Sequence, residues 1–197
     1  LRTTATIMYG HIESPRHWAG HLMRLRELQQ RTGGFTEFVP LPFVHMEAPM
    51  YLKGRARRGP TFREAVLMHA VARLVFNGLI DNIQTSWVKM GEEGVAACLQ
   101  AGANDLGGTL MNESITRAAG SDHGQEWAPA HMEAQISRLG RVPRMRTTLY
   151  ADAPGAQRMA AFDAPPLSAP HNASAGKQQR SKLIPVMQLA STAGIGS

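Results

Sequence analysis

The chain has 197 residues, 43% of them hydrophobic, and 21 basic against 15 acidic side chains give a formal net charge of +6. That length supports one domain with a real core, and the absence of any uninterrupted run of about 18 apolar residues excludes a membrane-spanning helix and leaves no membrane partner. The cations are scattered among helices and one loop, so no nucleic-acid partner is expected, and a salt-sensitive contact through Arg55–Arg58 stays only as an outlying alternative. The single cysteine, Cys98, excludes an internal disulfide and a cysteine-ligated cluster or zinc site within the chain, and fits a reducing, cytoplasmic compartment.

The chain opens on "TTATIMYGHI" (3–12), β-branched and apolar enough for a buried strand. In "ESPRHWAGHLMRLRELQQRTGG", Ser14 can cap a helix, Pro15 suits its first position and Gly33–Gly34 ends it. Trp18, Leu22, Leu25 and Leu28 recur at helical spacing, which gives that helix one face to pack on a sheet. "FTEFVPLPF" (35–43) reads as a second strand whose end is broken by Pro40 and Pro42. The segment from Val44 to Pro60 is long for a connection, as lids and binding loops are; its Lys53, Arg55, Arg57 and Arg58 suit either an anion or plain solvation.

Thr61 and Glu64 form a capping box before an apolar helix that ends near Gly78. "NIQTSWVKMG" (82–91) reads as a third strand, "EEGVAACLQAGA" (92–103) as the third helix, and "NDLGGTL" (104–110) as a short fourth strand or its exit. Helices over "ESITRAAG" and "PAHMEAQISRLG" precede "RMRTTLYA". From about Asp152 the composition turns to Ala, Pro, Ser, Gly and Gln, and the tail 152–197 is expected to be disordered. Inside it "KLIPVMQLA" is either a docking segment or a stray apolar run.

Alternating strands and helices predict an α/β fold with a parallel sheet. Four such units make half of an eight-stranded barrel of about 250 residues, so residues 1–151 are expected to be the C-terminal half of a (β/α)8 TIM-type barrel. A four-stranded doubly wound domain is the rival, although neither GxGxxG nor GxxxxGK[ST] follows any strand. The start at Leu1, without an initiator Met, adds the expectation of a piece of something longer.

Ligands of parallel α/β folds lie beyond the carboxyl ends of the strands. The strand-exit residues are Tyr9, His11 and Glu13, then Pro40 and His45, then Gln84, Ser86 and Lys89, and finally Asn104 and Asp105. Amides, hydroxyls and few convergent acids or bases suit a polar, multi-hydroxyl or heterocyclic ligand better than hydrolysis, and no catalytic residue is assigned. Each has a plainer reading: Tyr9 in the core, His11 closing a rim, Lys89 on the strand face opposite Gln84 and Ser86, Asp105 as a helix cap, Asn104 in a left-handed turn. His17 and His21 stand four apart on an outer helix without a third ligand, so no metal is expected, and Cys98 reads as a small core residue.

Several stretches together carry a resemblance: "TTATIMYGHIESPRHW", "LRELQQRTGGFTEFVPLPFVH", "NIQTSWVKMG", "AGANDLGGTLMNESITRAAGSDHG" and "GRVPRMRTTLY". In that order they resemble the carboxyl-terminal part of the deazaflavin (FO) synthase family, in its tyrosine-using half, the 5-amino-6-(D-ribitylamino)uracil–L-tyrosine 4-hydroxyphenyl transferases. Aminofutalosine synthases share "YGHIE" and "GANDLGGT" but resemble "FVPLPFVH" and "NIQTSWVKMG" less. The resemblance implies a radical S-adenosylmethionine enzyme of coenzyme F420 biosynthesis. In that family a [4Fe-4S] cluster cleaves S-adenosylmethionine, and the radical so formed leads to the joining of the hydroxybenzyl group of tyrosine to 5-amino-6-(D-ribitylamino)uracil.

Strand-exit amides and hydroxyls suit the ribityl chain and uracil edge of such a substrate. Tyr9, His11, Glu13, Gln84, Ser86, Asn104 and Asp105 are therefore expected to serve substrate binding, with Asn104 and Asp105 held close by their glycine neighbours. The family's CxxxCxxC cluster loop has no counterpart among these residues. The loop is therefore expected upstream of Leu1, in the missing N-terminal half of the barrel, and the isolated chain is expected to be inactive and free of iron. A non-catalytic half-barrel scaffold is the alternative from another class.

Overall fold

The structure is a computed structural model that describes residues 1–110 and 112–167; the 182–190 segment and most of the expected tail lie outside them. Strand β1 (Thr3–Tyr9) alternates as its β-branched sequence predicts, with Ala5, Ile7 and Tyr9 buried on one face and Thr4, Thr6 and Met8 exposed on the other. Helix α1 (Pro15–Thr32) starts and stops where its signals stand. The backbone N–H of Ser14 donates to His17 Nδ1 at 3.1 Å, Pro15 takes the first position, and Gly33 closes the helix in the left-handed conformation at φ 58°. Its Trp18 and Leu22 turn inward, while His21 reaches back to the carbonyl of Thr6.

Strand β2 (Phe35–Pro42) lies parallel to β1 along its whole length, with Ala5 opposite Phe38 and Tyr9 opposite Pro42. The long segment after it carries one short helix, α2 (Pro49–Leu52). Helix α3 (Phe62–Val75) begins on the expected capping box: Thr61 Oγ1 accepts from the Glu64 N–H at 3.2 Å, and Glu64 Oε2 accepts from the Thr61 N–H at 2.7 Å.

Strand β3 is only Asn82–Ile83, opposite Glu37 and Phe38. The expected strand over 82–91 is thus cut short, and 87–90 belong to helix α4 (Trp87–Gln100). Proline explains the cut. The carbonyl of Phe38 accepts from the Gln84 N–H on the β3 side, whereas the Phe43 N–H donates to Tyr9 on the β1 side. Backbone groups of alternate residues face the same neighbour, so Pro40 and Pro42 sit where an N–H toward β3 is needed and none exists. The β1–β2 ladder continues and the β2–β3 ladder stops.

The expected fourth strand is reduced to one parallel bridge, Gln84 with Asp105. Three strands plus this bridge therefore follow one another in chain order at a single growing edge. Helices α5 (Ile115–Ala118) and α6 (Pro129–Arg138) fall in the two stretches expected to be helical. A further helix, α7 (Gly155–Asp163), occupies ground expected to be disordered; Arg158 ties it to Glu133 of α6 at 2.7 Å and lies over the Phe162 ring.

Two apolar clusters result. One lies between the sheet and α1 and α3, around Ala5, Ile7, Tyr9, Trp18, Leu22, Phe38, Met68 and Ile83; the other gathers Trp87, Val95, Cys98, Leu99, Leu106 and Trp127 around α4. Each fully buried large side chain contributes about 1.5–3 kcal/mol. The architecture is mixed α/β on a three-stranded parallel sheet, with helices on one face and the other face of β1 open. No helix of the described residues is long and apolar enough to cross a membrane.

Candidate active site

The turn between β1 and α1 is organised by one carboxylate. Glu13 accepts from the backbone N–H of Gly10, of His11 at 3.2 Å and of Ile12 at 3.0 Å, and from the indole of Trp18 at 2.6 Å. His11 Nδ1 lies against the same carboxylate as an ion pair, out of line for a hydrogen bond. Burial raises the affinity of Glu13 for a proton, but these N–H donors outweigh it and bring its pKa down to about 2. A fixed anion thus shapes the first strand exit and holds His11 against it, with the ring of Phe43 5.6 Å from the imidazole.

A second constellation lies on the open face of the sheet. Glu37 of β2 accepts from Thr4 Oγ1 at 2.7 Å, from Gln84 Nε2 at 3.0 Å and from the Tyr150 hydroxyl at 2.5 Å, and Arg146 stands 3.5 Å away. Arg146 forms a two-pronged pair with Asp105, one arm at 2.9 Å, and its guanidinium lies 4.1 Å from the centre of the Tyr150 ring. Asp105 also accepts from the Gly107 N–H at 2.6 Å. Burial, then the hydrogen bond to Glu37, pushes the Tyr150 hydroxyl far up, so it remains a donor. Two acids, one guanidinium and one phenol form a nearly closed set that fastens the 144–152 segment across the sheet.

Its position in the fold limits its role. Thr4 and Glu37 belong to the amino-terminal parts of β1 and β2, whereas ligands of parallel α/β sheets lie beyond the carboxyl ends of the strands. At the opposite, carboxyl-terminal end a cavity of about 260 Å³ opens between the β2 exit, the start of α3 and the first turn of α4, lined among others by Phe43, His45, Thr61, Lys89, Met90 and His123. Its wall depends on a kink in α4. Gly91 takes φ 62°, and a Cβ there would meet the His123 ring at 2.8 Å.

The expected site residues separate into groups. Gln84 and Asp105 are bridge partners on the open face and share the Glu37–Arg146 network; Ser86 caps α4 beside them and is 9% exposed, with no side-chain bond to the helix. Asn104 faces away: its Oδ1 accepts from the Ile83 N–H at 2.8 Å and from Arg73 at 2.7 Å, and its Nδ2 donates to the Asp81 carbonyl. Tyr9 is fully buried toward α1, edge-on to Trp18 at 5.3 Å, its hydroxyl unpartnered and its pKa raised by burial. His11 and Glu13 form the β1–α1 turn. Of the other strand-exit residues, His45 and Lys89 line the carboxyl-end cavity. Lys89 lies on helix α4, not on a strand face, and is half-buried.

Glu37, Arg146 and Tyr150 were not among the candidates, although Arg146 and Tyr150 stand in the "RMRTTLY" stretch. Cys98 is buried on α4 beside His69, and burial pushes its thiol up to about 11, opposite to what a thiolate ligand needs. Among the described residues no group of three or more His, Cys, Asp or Glu could hold a metal ion, and the chain has one cysteine. These residues do not fit a three-thiolate iron–sulfur cluster.

A family model described as "CofH/MqnC C-terminal region" matches residues 32–159. FO synthase of Mycobacterium leprae is 56% identical over 151 residues, covering 77% of this chain and 18% of that protein. FO synthase of Nocardia farcinica is 57% identical over 150 residues, covering 76% of this chain and 17% of that protein. The 5-amino-6-(D-ribitylamino)uracil–L-tyrosine 4-hydroxyphenyl transferase of Methanocaldococcus jannaschii is 52% identical over 150 residues, 76% of this chain and 42% of that protein. The chain therefore spans less than half the length of each of these relatives, and it belongs to the CofH/MqnC C-terminal region family.

Proposed function

We propose that this chain is the substrate-facing carboxyl-terminal portion of an enzyme that joins the 4-hydroxyphenyl-bearing fragment of tyrosine to 5-amino-6-(D-ribitylamino)uracil. The observation that carries this reading is the 52% identity to the Methanocaldococcus jannaschii transferase over 150 residues, 76% of this chain. The fold supports a barrel portion in two ways. Strands that add in chain order at one edge, without reversal, are what a closing barrel requires and a doubly wound sheet does not. An open inner face of β1, with Met8 56% exposed, suits a parallel sheet whose remaining strands come from elsewhere.

In this reading the thiolates that would hold the cluster belong to a part of the relatives' length that this chain does not span. The bound group would supply radical initiation. The residues here would bind, orient and keep water from the organic substrates, with Ser86 at the start of α4 and His11, fixed by Glu13, at the first strand exit.

A graft tests the proposal. Residues 1–151 replace the corresponding stretch of Mycobacterium leprae FO synthase, and the purified, anaerobically reconstituted chimera is supplied with tyrosine and the aminouracil. Tyrosine-dependent product within about tenfold of the parent is expected; a folded, cluster-loaded chimera without tyrosine-dependent product overturns the reading.

A further inference from the structure

The cavity at the carboxyl end of β2 contains a cation whose charge is poorly answered. Lys89, in the first turn of α4, lines it, and its ammonium makes one long hydrogen bond, 3.4 Å to Thr116 Oγ1. Among the described residues no carboxylate lies within ion-pair distance of it. Glu113 engages one oxygen with the Thr116 N–H at 2.8 Å, and its other oxygen is buried without a partner. The acid that lines the cavity, Asp122, is 97% exposed and stands beside His123. Burial lowers the pKa of Lys89, with Glu113 only partly opposing it, as expected where a charge has lost water and gained no contact anion.

The surroundings are built to keep this space open and of fixed shape. The kink at Gly91 lets the His123 ring lie against α4 where a side chain would not fit, and Ser121 Oγ ties the same loop to the Val88 carbonyl at 2.8 Å. His45, also lining the cavity, is set edge-on to Tyr51 at 4.7 Å. The result is a pocket of about 260 Å³ with apolar walls from Phe43, Met46 and Met90 and an inadequately paired ammonium. That is slightly below the range of drug-sized ligand sites and suits one amino-acid-sized molecule.

We propose that this cavity is a carboxylate subsite for an α-amino acid, in which Lys89 supplies the counter-charge. A ligand carboxylate placed there completes the charge-assisted contact that the protein leaves unmade, and its apolar part meets the methionine and phenylalanine walls. The assignment of tyrosine as that amino acid rests on the proposed function; the subsite itself does not. A methionyl carboxylate has the same chemistry, and the test separates the two.

Binding to the 197-residue chain is measured by saturation-transfer NMR for L-tyrosine against tyramine and for L-methionine against 3-methylthiopropylamine. The expected result is that L-tyrosine binds at least about tenfold more tightly than tyramine, that Lys89→Met removes this preference and that Lys89→Arg retains it. A preference for methionine over its amine, lost in Lys89→Met, with no preference for tyrosine, keeps the subsite and overturns tyrosine as its occupant. Equal binding of acid and amine by the wild-type chain, no binding of either acid at millimolar concentration, or tyrosine binding unaltered by Lys89→Met overturns the subsite and leaves the proposed function standing. If Lys89→Met does not fold, judged by circular dichroism, the wild-type acid-against-amine comparison decides alone.

Discussion

Tyr150 donates its hydroxyl to Glu37 at 2.5 Å across 113 positions of sequence, and the same two residues flank the guanidinium of Arg146. This contact links the last irregular segment of the domain to the second strand. Truncating the donor leaves Glu37 with Thr4 and Gln84 still bonded, so Tyr150→Phe is expected to cost about 1–2 kcal/mol. Removing the hub strands three donors and half-unpairs Arg146, so Glu37→Ala is expected to cost about 3 kcal/mol. In urea titrations the double variant should fall short of additivity by roughly 1 kcal/mol. Strict additivity would mean that the two side chains are not coupled.

That network also marks the boundary of what the sequence discloses. The caps of α1 and α3 are local, and Ser14, Pro15, Gly33, Thr61 and Glu64 state them outright. The β3 assignment failed because Trp87 and Val88 favour strands in isolation. Tertiary packing overrides that preference: Trp87 stacks on Trp127 at 5.1 Å and donates to the Gly108 carbonyl at 2.9 Å. Asn104 and Asp105 were paired as ligand readers, yet neighbours on extended chain point to opposite faces. The period of two already separated them, with Asn104 toward Arg73 and Asp105 toward Arg146. Glu37, Arg146 and Tyr150 had no local signature, because nothing in a window of ten or twenty residues records a partner more than a hundred positions away. Helix α7 escaped notice for a similar reason: its anchor is Glu133 on another helix.

Acid should unfold the β1–α1 turn through Glu13. Its carboxyl titrates at about 2 in the folded protein against 4.5 in a free chain. A depressed folded value means the unfolded state binds the proton first, so the stabilisation is complete above about pH 4.5 and is lost as pH falls toward 2. Glu13→Gln should lower the denaturation midpoint at pH 6 and flatten its decline between pH 5 and pH 3. Parallel curves for the two proteins across that interval would remove Glu13 as the titrating group.

His69 predicts a separate loss at milder acidity. It is fully buried, its Nδ1 pairs with the Ala65 carbonyl at 2.8 Å and stands 3.4 Å from Cys98 Sγ, and Nε2 has no partner. Desolvation lowers its pKa below the ordinary 6.5, so the folded state resists a proton that the unfolded chain accepts. Stability is therefore full above pH 6.5 and declines as pH falls below it. His69→Met, which keeps the volume and removes the titration, should abolish the slope between pH 6.5 and pH 5 while leaving the Glu13-dependent decline below pH 4.5. A slope unchanged in His69→Met would show that the imidazole is not what charges.

Gly91 and Gly33 share nearly the same φ, 62° and 58°, but differ in ψ and in surroundings: at ψ 18° Gly33 is left-handed helical, whereas at ψ −174° Gly91 lies in an extended region open essentially only to glycine. A Cβ at Gly33, the end of α1, meets nothing within 4 Å, whereas at Gly91 it meets the His123 ring at 2.8 Å. Gly33→Ala should therefore carry only the left-handed backbone penalty, about 1–2 kcal/mol. Gly91→Ala should carry a larger backbone penalty, since ψ −174° at positive φ is closed to alanine, and must also displace His123 from the cavity wall, for a total of roughly 3 kcal/mol or more. The imidazole is a spectroscopic reporter of the second part. Its ring resonances should move in Gly91→Ala and stay in place in Gly33→Ala, and equal melting losses with unmoved His123 signals in both variants would refute the close approach that shapes the pocket.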